Sequence, residues 1–142
     1  MPQPFVIAQP RAVLEDPHAC TDSADVLTVF GAVFDALIRR DGQGGYAPAL
    51  AESWHTSPDA RIFTFQLRPH IRFHNGDPVD AEAVRFSLMR MADPAQGGTL
   101  GAPGVYAQYL TGMAVDILGP ETLRITLAHP LADIADILSY GH

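Results

Sequence analysis

Residues 65–87 read FQLRPHIRFHNGDPVDAEAVRFS and bring together two histidines, an Asn-Gly-Asp-Pro turn and the start of a helix. Just upstream and into this stretch, Phe63, Phe65 and Leu67 alternate with Ile62, Thr64 and Gln66, the two-residue period of a strand with one buried face. Ile71-Arg72-Phe73 repeats that alternation, so a second strand is expected to pair with the first across Pro69-His70. Asn75-Gly76 is turn chemistry, and Asp80 stands as the N-cap of a helix whose apolar stripe is Val84, Leu88 and Met91. His70 and His74 lie four apart, a spacing that holds zinc when both are on one helix. In an extended strand the same spacing puts them on one face about 13 Å apart, too far for one ion. No metal site is therefore expected here. Asp77, Asp80 and Glu82 are accounted for by turn and cap duties, which leaves no carboxylate pair for acid–base work.

Working outward, Val26, Val29, Phe30, Val33, Phe34 and Leu37 recur at three- and four-residue intervals and predict a helix capped by Asp22 or Ser23. That helix should end before the glycine-rich turn Asp41–Gly45. Phe5–Ala8 reads as a short first strand, and Ala12–Thr21 as a loop. Glycine and proline mark 93–104 as a loop, after which Val105–Leu110 predicts a short helix displaying Tyr106 and Tyr109. Val115–Ile117 and Leu123–Leu127 flank Gly119-Pro120-Glu121 as a hairpin. Pro130 opens a last helix with Leu131, Ile134, Ile137 and Leu138 on one face. Hairpin strands separated by helices predict an α+β domain, an antiparallel sheet with flanking helices.

The totals narrow the function. A chain of 142 residues, 47% hydrophobic, is long enough for a real core. The net charge of −7 argues against a nucleic-acid partner, which needs a basic face. All nine basic side chains besides histidine are arginine, so Schiff-base and Walker-type lysine chemistry has no residue to use. Cys20 is the sole cysteine, which excludes an internal disulfide. The start MPQPFVIAQP has no signal-peptide pattern, and no stretch approaches the roughly 20 apolar residues of a membrane span. Ser53, Ser57 and Ser87 lack a G-x-S-x-G setting, so no nucleophilic serine is expected.

Several blocks then occur in a recognisable order: PALAESW at 48–54, FTFQLR at 63–68 and FHNGDPVDAEAVRFS at 73–87. Together with Asp16-Pro17-His18, Phe34-Asp35-Ala36-Leu37 and Glu121–Leu127, they resemble the extracellular solute-binding proteins, family 5, the peptide-, dipeptide- and nickel-binding receptors of ABC importers. The resemblance spans about 14–140. Where the family often has an acidic residue in the helix that follows Asp80, this chain has Ala83.

The resemblance implies the N-terminal part of a periplasmic-binding-protein type II-like fold. Residues 1–22 would supply a strand and loop of the large lobe, and 23–142 most of the smaller α+β lobe, truncated at its C-terminus. It implies a periplasmic, non-enzymatic binding component without cofactor, partnered by a peptide or other small solute and by a membrane permease. The family's segment after Asp-Pro lies along the ligand cleft, which marks His18, Cys20 and Thr21 as ligand-binding candidates. Tyr106 and Tyr109 join them because amphipathic rings suit a site that stacks on or hydrogen-bonds a peptide; packing of the short helix is the competing role, and Trp54 is read as a structural anchor. An alternative is the solute-sensing domain of a cytoplasmic transcriptional regulator, distinguished by a fused helix-turn-helix in place of an export signal. A small metal-dependent hydrolase would instead retain about one metal per chain after purification. A lone lobe is expected to bind solute weakly and to self-associate through apolar surface meant for the other lobe, which light scattering would detect.

Overall fold

The computed structural model describes residues 6–11, 16–19, 23–95, 106–131 and 133–140. After a 3-10 turn at Pro17–Ala19, the chain forms helix α1 (Ala24–Val33), strands β1 (Ile38–Arg40), β2 (Tyr46–Pro48), β3 (Ala51–Thr56) and β4 (Ile62–Leu67), and helix α2 (Ala81–Met91). A short α3 (Ala107–Leu110) precedes strands β5 (Ala114–Gly119) and β6 (Thr122–Thr126), and α4 (Ile134–Ile137) follows. β1 and β2 pair as a two-stranded antiparallel sheet, and the other four strands form a second antiparallel sheet in the order β3-β4-β6-β5.

β4 is the centre of that sheet. Trp54 of β3 stands opposite Phe65, and on the other side Phe65 stands opposite Leu123 and Phe63 opposite Ile125. The alternation read in the sequence is observed: Phe63, Phe65 and Leu67 are buried, as are Leu123, Ile125 and Leu127. They meet Ala81, Val84, Leu88 and Met91 of α2 in one core, which Leu110 of α3 and Ile134 and Leu138 around α4 complete. On the opposite face polar pairs replace apolar ones. Thr122 donates to Gln66 Oε1 at 2.8 Å, and Arg124 pairs at 3.0 Å with Asp116, its register partner on β5. Such cross-strand pairs add a few tenths of a kcal/mol to about 1 kcal/mol and help to fix register.

The expected hairpin at Gly119–Glu121 is present, and its tip is fastened to both ends of the opening stretch. Leu67 N–H donates to Glu121 O at 2.7 Å, and Ala81 N–H to Pro120 O at 2.9 Å. Asp80 caps α2 by accepting from Ala83 N–H at 2.9 Å, as the sequence predicts. Ser23 caps α1, accepting from Val26 N–H.

Four expectations need correction. Ile71–Phe73 does not pair with β4, because both edges of β4 are already occupied by β3 and β6. His70 takes a positive φ of 64°, and the chain folds back on itself so that Arg72 bridges to Pro78 around Asn75-Gly76. α1 stops at Val33: Phe34 is extended, and Leu37 lies in the main core rather than on the helix stripe. Val6–Ala8 are without strand structure, while Phe5 lies outside the described residues. Strands β1, β2 and β3 carry no clear two-residue period in the sequence.

α4, shorter than expected, is tied to the β1–β2 sheet through Asp136, which accepts from the Tyr46 hydroxyl and pairs with Arg40 at 2.8 Å. The carboxylate holds the Tyr46 phenol above its ordinary pKa. Ile38 N–H also donates to Leu138 O.

Phe65→Ala should cost about 3–5 kcal/mol in urea denaturation, because the ring is 1% exposed at the sheet centre. Phe86→Ala, on a 72% exposed ring of α2, should stay within about 0.5 kcal/mol. Ala60 turns β3 into β4 with φ 54°, a region costing a side-chain-bearing residue about 1–2 kcal/mol. Ala60→Gly should therefore raise Tm, and an unchanged or lower Tm would show the turn to be unstrained.

Candidate functional site

The polar residues that the sequence places far apart meet beside α2. The 3-10 turn at Pro17–Ala19 lies against this helix, and Arg90 extends from the helix's last turn to form a two-pronged ion pair with Asp16. Its Nη1 donates to Asp16 Oδ1 at 2.8 Å and also lies 2.8 Å from His18 Nδ1. His18 N–H donates to Asp16 Oδ1 at 3.0 Å, so the turn is held at both carboxylate and ring. The imidazole is buried, 8% exposed, and its Nε2 lies 3.3 Å from Ser87 Oγ. Ser87 and Arg90 are three apart on α2 and therefore neighbours on one side of it.

Of this network, His18 and Ser87 line a groove of about 670 Å³. Its α2 side is Ala83, Val84 and Ser87, one wall is Gly31–Asp35 at the end of α1, and the other is Ile71–His74 with Val79. Phe34 packs edge-on against Phe30 with ring centres 5.2 Å apart, which presents an apolar wall beside Asp35. Arg72 and His74 place positive or protonatable groups opposite. An open, mostly apolar groove with a few convergent polar groups is the form of a small-solute site. A smaller recess of about 80 Å³ shares His18, Asp35 and Ser87 and runs toward Leu138 and Tyr140.

Of the five candidates from the sequence, His18 lines this groove. Cys20 and Thr21 lie outside the described residues. Tyr106 is 9% exposed and belongs to the main core, which is the packing role of the short helix; Tyr109 is 54% exposed. Neither tyrosine is among the groove's lining residues. Ser87, Arg90, Phe34 and Asp35 were missed as site residues. The signal for Ser87 is its position, three after Val84 and four before Met91, which puts a hydroxyl at the border of the helix's apolar stripe. His70 and His74 are both exposed, and the strand geometry assumed for them gives way to the bend at His70. Among the described residues, no group of three His, Cys, Asp or Glu side chains is placed to hold a metal ion.

The Arg90 guanidinium, above all through its hydrogen bonds, holds the Asp16 carboxyl at about 2 instead of 3.8. A depressed carboxylate stabilises the fold above the unfolded value, and that contribution is lost as pH falls from about 4 to about 2. Asp41, held low by the amides of Gln43 and Gly45, and Asp59, by Ser57, add to the same acid loss. Chemical denaturation at a series of pH values between about 2 and 5 should show stability falling toward acid, with a smaller slope in Asp16→Asn. An unchanged slope in that variant would mean that the Asp16–Arg90 pair does not form in solution.

Comparison with known proteins identifies the family. Residues 45–140 match the profile of the bacterial extracellular solute-binding proteins, family 5 Middle. The periplasmic oligopeptide-binding protein OppA of Haemophilus influenzae is 36% identical over 109 residues, covering 77% of this chain and 18% of that protein. Among solved structures, NikZ of Campylobacter jejuni in complex with Ni(L-His) matches with TM-score 0.71 and 29% identity over 89% of this chain and 24% of that one. MoaA of A. tumefaciens R10 with mannopinic acid matches with TM-score 0.73 and 29% identity over 88% and 25%. The two curated relatives that match first are spanned over 18% and 31% of their length. Both the motif order and the antiparallel sheet with its flanking helices agree with these matches, and the chain belongs to the bacterial extracellular solute-binding proteins, family 5.

Proposed function

We propose that this chain is part of the substrate-binding component of an ABC importer, periplasmic in location, which takes up a peptide or similar small solute. Residues 1–22 would belong to the larger lobe and 23–142 to the smaller. Solute would stabilise a closed state by touching both lobes at once, with no covalent step. The observation that carries this reading is the groove beside α2, on a chain whose residues 45–140 match a solute-binding family. His18 stands in that groove, and Cys20 and Thr21, which follow it in sequence, are proposed as further ligand contacts. Tyr109 offers an exposed ring for a further contact, while Tyr106 holds α3 to the core. The apolar walls at Phe34 and Phe73 give side chains of a solute somewhere to pack, and the mixed charges of Asp35 and Arg72 suit a zwitterionic solute better than a uniformly charged one.

A receptor containing this chain should bind short peptides in isothermal titration calorimetry, and saturating peptide should raise its unfolding free energy by about 2.7 kcal/mol at a hundred times Kd. His18→Ala should weaken that binding. Titrations showing no heat and no thermal shift with di-, tri- or oligopeptides, opines or nickel–histidine would overturn the reading.

A further inference from the structure

The hydrogen bonds beside α2 have a fixed direction. A guanidinium donates and has no acceptor, so His18 Nδ1, 2.8 Å from Arg90 Nη1, meets it with a lone pair. A neutral imidazole with a bare Nδ1 carries its proton on Nε2, which therefore donates to Ser87 Oγ at 3.3 Å. The Ser87 hydroxyl, receiving that bond, has its own proton left to give, and Ser87 lines both the groove and the recess. Asp16 neutralises Arg90 at the far end, so the series presents no net charge, only a direction. Receiving a bond also makes a hydroxyl a stronger donor and a weaker second acceptor.

Resting on the solute-binding reading above, we infer that the relay Asp16–Arg90–His18–Ser87 is a specificity device: it makes Ser87 a hydrogen-bond donor in the groove, selecting solutes that place an acceptor oxygen, a peptide carbonyl or a carboxylate, at this point. A solute placing an ammonium or amide N–H there would meet only the second, weakened lone pair of Ser87 Oγ and would leave the hydroxyl proton without an acceptor. Arg90 and Asp16 are positioning residues, acting through His18 to fix the direction.

The test uses an isotopically labelled receptor that contains this chain together with its second lobe. Without ligand, nitrogen chemical shifts of the His18 ring should show the Nε2–H tautomer; an Nδ1–H tautomer would overturn the relay. Three probes are then titrated: N-acetyl-trialanine, its methylamide, and butylamine, which has an ammonium and no acceptor oxygen. Both peptides should shift the Ser87 and His18 signals, and Ser87→Ala should weaken their binding about 3- to 10-fold, the effect of one lost hydrogen bond. Tighter binding of the free acid assigns a carboxylate to the site, and equal binding a carbonyl. A larger response at Ser87 to butylamine, or no effect of Ser87→Ala while Phe34 and Phe73 still respond, overturns this inference and leaves the solute-binding reading standing. If neither peptide moves any groove signal while the Nε2–H tautomer is found, the solute-binding reading fails and the proposed contact falls with it.

Discussion

The position of β4 between β3 and β6 is the constraint on which the other elements depend. With both backbone edges paired, β4 can place Phe63, Phe65 and Leu67 on one face only, and that face must be covered. α2 brings Ala81, Val84, Leu88 and Met91 into the same core while packing chiefly over β5 and β6, and its start is set by the hairpin tip at Pro120. The same pairing excludes Ile71–Phe73 from the sheet. That segment therefore folds back as a loop beside α2 and becomes a wall of the groove. Sheet topology thus decides where the site can be.

The site, in turn, joins parts of the chain with different anchorage. α2 is fixed by the core, whereas the turn at Pro17–Ala19 is held to it by the Asp16–Arg90 pair and the His18 contacts. Val26 and Phe30 of α1 form a separate small cluster, so the α1 wall of the groove is not part of the main core. The groove therefore joins a side fixed in the main core to a wall that belongs to a separate cluster.

Elements with strong patterning were legible from the sequence. The β4 alternation, the β5–β6 hairpin, the Asp80 cap and the stripe of α2 all stand where the residues predict them. β3 was not seen because it is an edge strand with Glu52, Ser53 and His55 exposed and only Ala51 fully buried, so it lacks a clean two-residue period. β1 was absorbed into α1 because Phe34 and Leu37 happen to continue a helical spacing, although Leu37 is buried by the other layer. Strand geometry for His70–His74 failed because a positive φ at a non-glycine residue leaves no mark in the sequence. For the site, His18 was found through the family's motif rather than through its chemistry. Its partners Arg90 and Ser87, some seventy residues away, are brought together only by the packing of the turn on α2.

The most direct test of the account is a crystal structure of a receptor containing this chain with its solute bound. The solute should lie in the groove between the end of α1, the loop at 71–74 and α2, with an acceptor oxygen within hydrogen-bonding distance of Ser87 Oγ. A solute bound elsewhere, with this groove filled by other parts of the protein, would contradict it.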